Sequence, residues 1–243
     1  MKIVKLDAID STNSYLKSLS RREQVAHWTV VWADAQTKGK GQRQNKWLSE
    51  PGKNLTFSVL IKFDGLAIEH QHVLNYSTSL AVYNVLKYYI PQKLAIKWPN
   101  DILSANAKIG GILIEGNLKN AKVTEAIIGI GLNVNQTDFS SLPNRATSLR
   151  NRLGEVVNRE ELLHKIILEL QYQMLLVQQQ QWPTIKHAYE KLLYKIGVPS
   201  MFVDQAGNSF MGKIKGTTPA GKLIVELNDE TRRHFDLKEI SFA

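Results

Sequence analysis

The chain has 243 residues, 43% of them hydrophobic, enough to bury a sizeable core and to place it among globular rather than disordered proteins. It contains no cysteine, which excludes a disulfide framework, a thiolate zinc site and a cysteine nucleophile. The formal charge of +9 favours anionic partners such as nucleotides, nucleic acid or an acidic protein, and a solvated basic surface accounts for it equally well because the charge is spread along the chain.

The N-terminus, MKIVKLDAIDSTNSYL, lacks the charged head and apolar core of a signal peptide, and no stretch reaches the roughly 20 apolar residues of a membrane helix. A soluble protein is expected, with the cytoplasm as the simplest compartment. IVKLDAI reads as a strand and DSTNSYLKSLSR as a helix that Asp10, Ser11 or Thr12 can cap. HWTVVWADAQ, β-branched and aromatic, is a second strand, and KNLTFSVLIKF (53–63) alternates as a third. Residues 69–90 form a long apolar-rich helix stopped by Pro91. KLAIKW is a short buried strand ended by Pro99, with a turn over Pro99-Asn100-Asp101. KIGGILIEGNL and KVTEAIIGIGLNVN are two more strands, and 135–157 is a polar segment.

Residues 159–181 place Leu163, Ile167, Leu170 and Met174 on one helical face behind an Asn158 cap, with Glu161 where a capping-box acid belongs. Pro183 opens a further helix, PTIKHAYEKLLYKI. Beyond Gly197 and Pro199 the texture changes to short strands, SMFVD, SFMGKIKG, KLIVEL and RRHFDLKEI, separated by turn residues. That spacing suggests a small β-barrel. The expected division is 1–196 and 197–243.

Three stretches carry chemistry. The loop ADAQTKGKGQRQNKW (33–47) leaves a strand rich in glycine and lysine, a composition that holds phosphate in many folds and also describes an ordinary exposed loop. It is not a dinucleotide fingerprint, because Gln44 stands at the third glycine and no helix follows. A P-loop, a G-x-S-x-G elbow and an H-E-x-x-H pair are all absent, and His70 and His72 read as surface residues. In AIKWPNDI, Lys97 lies between Ile96 and Trp98 in an otherwise buried strand. It must meet a carboxylate or an anionic ligand, or else snorkel to solvent. Gly110, Gly111, Gly129 and Gly131 interrupt two neighbouring strands, which points to a ligand lying across a sheet, while helix packing explains any one of them. Asn133 and Asn135 end the second of these strands.

DSTNSYL, AQTKGKGQRQNKW, KWPND, KIGGILIEG and GIGLNVN, in this order and spacing, resemble the biotin protein ligases over essentially the whole chain. The resemblance implies an α+β fold: a mixed β-sheet with flanking helices, related to class II aminoacyl-tRNA synthetases, plus a C-terminal SH3-like barrel. It implies ATP-dependent attachment of biotin, through biotinoyl-AMP, to a lysine of a biotin carboxyl carrier protein. Biotin contacts would fall on Ser11, Thr12, Asn13, Gln36, Lys40, Gly41, Gln42, Lys97 and Gly111. Adenylate contacts would fall on Gly39, Lys40, Gly41, Gln42, Arg43, Trp47, Lys97, Asn100 and Asn133, with Lys97 catalytic.

Magnesium is expected as cofactor, with Asp101 and Glu115 as candidate ligands. The chain begins at the catalytic segment, so DNA binding through an N-terminal helix-turn-helix is not expected. The resemblance leaves room for a homodimer. Lys40, Gln42 and Gln44 depart from the commonest loop pattern, and lysine keeps charge but loses arginine's bidentate geometry. A lipoate–protein ligase of the same fold and a basic nucleic-acid-binding module are the rival readings.

Overall fold

The computed structural model describes residues 1–42, 45–142 and 145–243. Seven strands build the main sheet: β1 (Lys2–Ile9), β2 (Thr29–Gln36), β3 (Leu55–Ala67), β4 (Leu94–Lys97), β5 (Asp101–Ser104), β6 (Ala107–Lys119) and β7 (Lys122–Leu132). Their order is β1-β2-β3-β7-β6-β5-β4. Only β1 and β2 run parallel, joined by the crossover helix α1 (Thr12–Arg22), and the other neighbours are antiparallel. The sheet is therefore mixed, as expected.

Strand β3 shows why both faces are covered. Successive side chains alternate between faces. Phe57, Val59 and Ile61 join the large core, while Leu60 packs with Leu16, Val25, Val31 and Ile127 beneath α1. Helices α2 (His72–Tyr89), α4 (Arg159–Gln178) and α5 (Trp182–Lys191) cover the opposite face. The expected stripe of Leu163, Ile167, Leu170 and Met174 is buried there. Asn158 caps α4 by accepting from the Glu160 and Glu161 amides at 2.9 and 3.2 Å.

Several expectations need correction. The turn after KLAIKW is tighter than expected: Asp101 already opens β5, which folds back with Lys97 opposite Asp101. The Trp98–Pro99 bond is cis. The polar segment contains a short helix, α3 (Leu149–Leu153), capped by the Ser148 hydroxyl and ended by Gly154 at φ 80°. The last helix stops at Lys191, five residues early, because 192–196 pair with other strands through the Ile96–Leu193 and Ile196–Ile214 bridges.

A second, five-stranded antiparallel sheet follows, β8 (Ser200–Asp204), β9 (Ser209–Thr217), β10 (Leu223–Leu227), β11 (Arg232–Phe235) and β12 (Ile240–Phe242), in the order β11-β10-β9-β8-β12. RRHFDLKEI is thus two strands rather than one. Two polar ties hold this sheet against the first. The Glu190 carboxylate accepts from the Thr217 amide at 2.5 Å and its hydroxyl at 2.9 Å, and the Trp98 indole donates to the Gly221 carbonyl at 3.2 Å. His72 packs on Gly221 and the His70 ring lies tilted against Trp182 with ring centres 3.6 Å apart, so both histidines are half-buried packing residues rather than surface ones.

Candidate active site

A cavity of about 360 Å³ opens over the α1 side of the sheet, where the N-terminus of α1, the loop after β2, the β4–β5 turn and the last strand of the second sheet converge. Of the residues singled out in the sequence, Ser11, Thr12, Asn13, Gln36, Lys40, Gly41, Gln42, Trp47, Lys97, Asn100, Asp101 and Gly111 line it. Gly39 and Asn133 are not on its wall. Asn133 is buried and donates to the Thr147 carbonyl at 3.0 Å, closing the end of β7 against the segment that follows. Arg43 and Gln44 lie outside the described residues.

The loop folds back on itself between β2 and β3. Lys40 bridges Lys46, the Gly41 amide donates to the Asn45 carbonyl at 2.7 Å, and the Trp47 amide donates to the Gly39 carbonyl at 3.0 Å. A Cβ on Gly39 would collide with the Trp47 carbonyl, so that position has to be glycine. Trp47 then lays its indole on the sheet over Gly131 and beside Gly111, and a Cβ on Gly131 would overlap the ring. On Gly129 a Cβ would collide with the Asn13 amide. These strand glycines therefore admit protein side chains at the cavity floor, which refines the expectation that they clear space for a ligand alone.

One end of the cavity carries Lys97 and Lys108 beside Asp101, the one acid on the wall among the described residues, and Lys40, Lys46 and Lys238 also line the cavity. That acid is already engaged, since Asp101 Oδ1 lies 2.6 Å from Lys108 Nζ. Lys97 faces Asp101 across the hairpin, yet no carboxylate pairs with it among the described residues. Its ammonium sits 5.8 Å from the centre of the Phe242 ring. Of the three resolutions open for Lys97, a protein carboxylate is thus not the one used among the described residues, and an anionic ligand or solvent remains for a half-buried cation that lines the cavity.

The other end is neutral and polar. Gln36 Oε1 accepts from the Thr12 amide at 2.8 Å, Ser58 Oγ lies 2.7 Å from Thr12 Oγ1 and 2.6 Å from Asn13 Oδ1, and Asn13 Nδ2 donates to Glu115 at 3.0 Å. Glu115 also pairs with Lys17 at 2.8 Å. Burial pushes the Glu115 carboxyl up, but the hydrogen bonds from Lys17 and Asn13 and the charges of Lys17 and Lys40 outweigh it and hold the group below the ordinary glutamate range. Sitting behind Asn13, Glu115 is not on the cavity wall, which removes it as a magnesium ligand.

Sequence reasoning missed Lys108 and the wall contributed by Leu237, Lys238, Ile240 and Ser241, and also Ser58, which lies behind the wall on Thr12 and Asn13. Ser58 carried a signal, a hydroxyl inside the fully buried run LTFSVLI, since buried polar groups are there to be hydrogen-bonded.

Residues 6–133 match the Biotin/lipoate A/B protein ligase family, and the chain belongs to that family. The bifunctional ligase/repressor BirA of Bacillus subtilis is 30% identical over 93% of this chain and 70% of its own length. The biotin--[acetyl-CoA-carboxylase] ligase of Paracoccus denitrificans is 31% identical over 63% of this chain and 65% of its own. Among solved structures, the biotin protein ligase of Aquifex aeolicus in complex with biotin and ATP superposes with a TM-score of 0.81 at 26% identity, covering 100% of this chain and 98% of that one. The fold is that of the biotin protein ligases.

Proposed function

We propose that this protein is an ATP-dependent biotin–protein ligase whose acceptor is a lysine of a biotin carboxyl carrier domain. The observation that carries the reading is the pairing, in one cavity, of a neutral hydrogen-bonding end with a cationic end where Lys97 has no carboxylate partner among the described residues. A bicyclic urea with a carboxylated tail fits the first end, and the junction of that carboxylate with a nucleotide phosphate fits the second. The solved complex of the Aquifex ligase with biotin and ATP supports it.

In the first step a biotin carboxylate oxygen attacks the α-phosphorus, the bond to the bridging oxygen breaks, and pyrophosphate leaves with that electron pair. In the second the acceptor amine attacks the acyl carbon, AMP leaves, and the amine gives up a proton. No protein nucleophile is required, so positioning and charge stabilisation are the protein's contribution. Lys97 contacts the carboxylate and the α-phosphate. Lys40, Gly41 and Gln42, on the loop that Trp47 pins to the sheet, cover the mixed anhydride and keep water from it. Asn100 and Gly111 shape the junction between the two ends.

Magnesium binds through one or two carboxylates plus substrate phosphates and keeps several waters, and Asp101, the one acid on the described wall, would have to leave Lys108 to take part. When bound it would offset charge on the polyphosphate. Residues 1–196 form the catalytic unit in this reading, and 197–243 form a barrel that supplies the cavity's remaining wall.

A lipoate ligase is disfavoured by the polar end: Asn13 is held by Glu115 and Ser58, but a dithiolane ring has nothing to meet Thr12 Oγ1 and the Gln36 amide nitrogen, and unpaired polar groups in a site are costly. The test is mass spectrometry of a carrier domain after incubation with ATP, magnesium and either biotin or lipoate. The expected result is a mass gain of one biotinyl group and none with lipoate. A lipoyl adduct, or no adduct with either acid, would overturn the reading.

A further inference from the structure

Glu115 on β6 stands behind the cavity's polar end, with Oε2 3.0 Å from Asn13 Nδ2 and Oε1 2.8 Å from Lys17 Nζ. An ionised carboxylate only accepts hydrogen bonds, so Asn13 must turn its NH2 toward it. The Leu113 carbonyl, 3.5 Å from the same nitrogen, is also acceptor-only and agrees with that orientation. Asn13 Oδ1 therefore faces Ser58 Oγ, 2.6 Å away, and takes the single Ser58 proton.

Ser58 Oγ is also 2.7 Å from Thr12 Oγ1, a separation two oxygens adopt with a proton between them. With its own proton spent, Ser58 must receive that one from Thr12. Gln36 Oε1, 3.2 Å from Thr12 Oγ1, is then held by the Thr12 backbone N–H at 2.8 Å. What remains for a ligand is an acceptor at Thr12 Oγ1 beside a donor at Gln36 Nε2.

We propose that Glu115 is a positioning residue that sets the proton direction of the Asn13–Ser58–Thr12–Gln36 chain, so that the cavity's polar end selects a ligand edge carrying an N–H next to a C=O. That edge is the ureido group of biotin, and the inference rests on the biotin-ligase reading above. Glu115 touches no ligand and acts through Asn13.

Glu115→Gln keeps the side chain's size but gives it a donor as well as an acceptor. Its oxygen must face Lys17, because an NH2 there would meet another donor, so its NH2 faces Asn13. Asn13 then flips, and each proton along the chain reverses. In a pyrophosphate-release assay with the full chain, ATP and magnesium, KM for biotin should rise about 10- to 100-fold while kcat and KM for ATP stay within about threefold, the scale of a mismatched buried hydrogen-bonding site.

Lys17→Met added to Glu115→Gln removes the competing donor and frees the amide to turn its oxygen back to Asn13. Biotin KM should then return to within about threefold of the unsubstituted protein, a recovery that loss of a mere structural tie would not show. An unchanged biotin KM in E115Q, an equal rise in KM for ATP, or a defect that K17M leaves in place would overturn the proposal. Failure of the unsubstituted protein to release pyrophosphate with biotin would instead remove the ligase reading itself.

Discussion

Replacing Lys97 by alanine is the sharpest test of the cationic end. Among the described residues the ammonium has no protein carboxylate to abandon, so the substitution leaves no buried acid unpaired there. Its contact with the Phe242 ring, 5.8 Å to the centre, is worth about 0.5–1 kcal/mol at a partly exposed site. For a chain of this size that is a fall of about 1–4 °C in Tm. The kinetic effect should be far larger. A unit cation about 4 Å from a developing negative charge, at an effective dielectric near 20, contributes about 4 kcal/mol. Each 1.36 kcal/mol is tenfold in rate, so kcat for adenylate formation should fall about 10³-fold.

Biotin binding should survive, because Thr12, Asn13 and Gln36 hold the other end of the ligand in the proposed arrangement. The assay is pyrophosphate release at saturating ATP and biotin, read beside a thermal melt and a biotin titration. Release within about tenfold of the unsubstituted protein would refute the argument, since it would leave less than about 1.4 kcal/mol for the charge to supply. A collapse of Tm would refute it differently, by showing that Lys97 holds the fold.

Three further outcomes follow from the geometry. Gly131→Ala places a methyl in the Trp47 indole, an overpacking of about 1–3 kcal/mol that should open the loop about fivefold or more. The measurable consequence is more AMP formed per acceptor biotinylated, and an unchanged ratio would argue against a cover pinned by Trp47. Glu190→Ala strips the Thr217 amide and hydroxyl of their acceptor in a residue only 2% exposed, at about 1–3 kcal/mol. Calorimetry should show Tm several degrees lower. The Glu115 carboxyl lies below its ordinary value of 4.5 in the folded protein, so its contribution is fully present above that value and is lost as pH falls through the lower folded-state value. Melts over that acid window should be shallower in pH for Glu115→Gln than for the unsubstituted chain, and parallel curves would show that the group gains nothing on folding.

Much of the scaffold is legible in the sequence because its signals are local. Buried β-branched runs mark β2, β3, β6 and β7, Pro91 follows closely on α2, and Asn158 announces the start of α4. Strand β5 escapes because its four residues follow a proline turn and pair only with segments they cannot specify alone. Lys97 stood out because a lysine amid apolar neighbours demands an explanation. What surrounds it did not, since Phe242 and the wall residues Leu237, Lys238, Ile240 and Ser241 return from the far end of the chain.

The glycines show the limit most clearly. Gly129 and Gly131 announce a close approach, but not what approaches, and here it is Asn13 and Trp47. Both side chains come from segments that also line the cavity, so each glycine fixes a wall residue at a defined height above the sheet. Glu115 extends the same logic by one step. It is separated from Asn13 by 102 positions in the chain and reads in isolation as one more polar residue in a strand. Only the pairing across α1 and β6 turns an unremarkable acid into the group that decides which way the neighbouring amide must point.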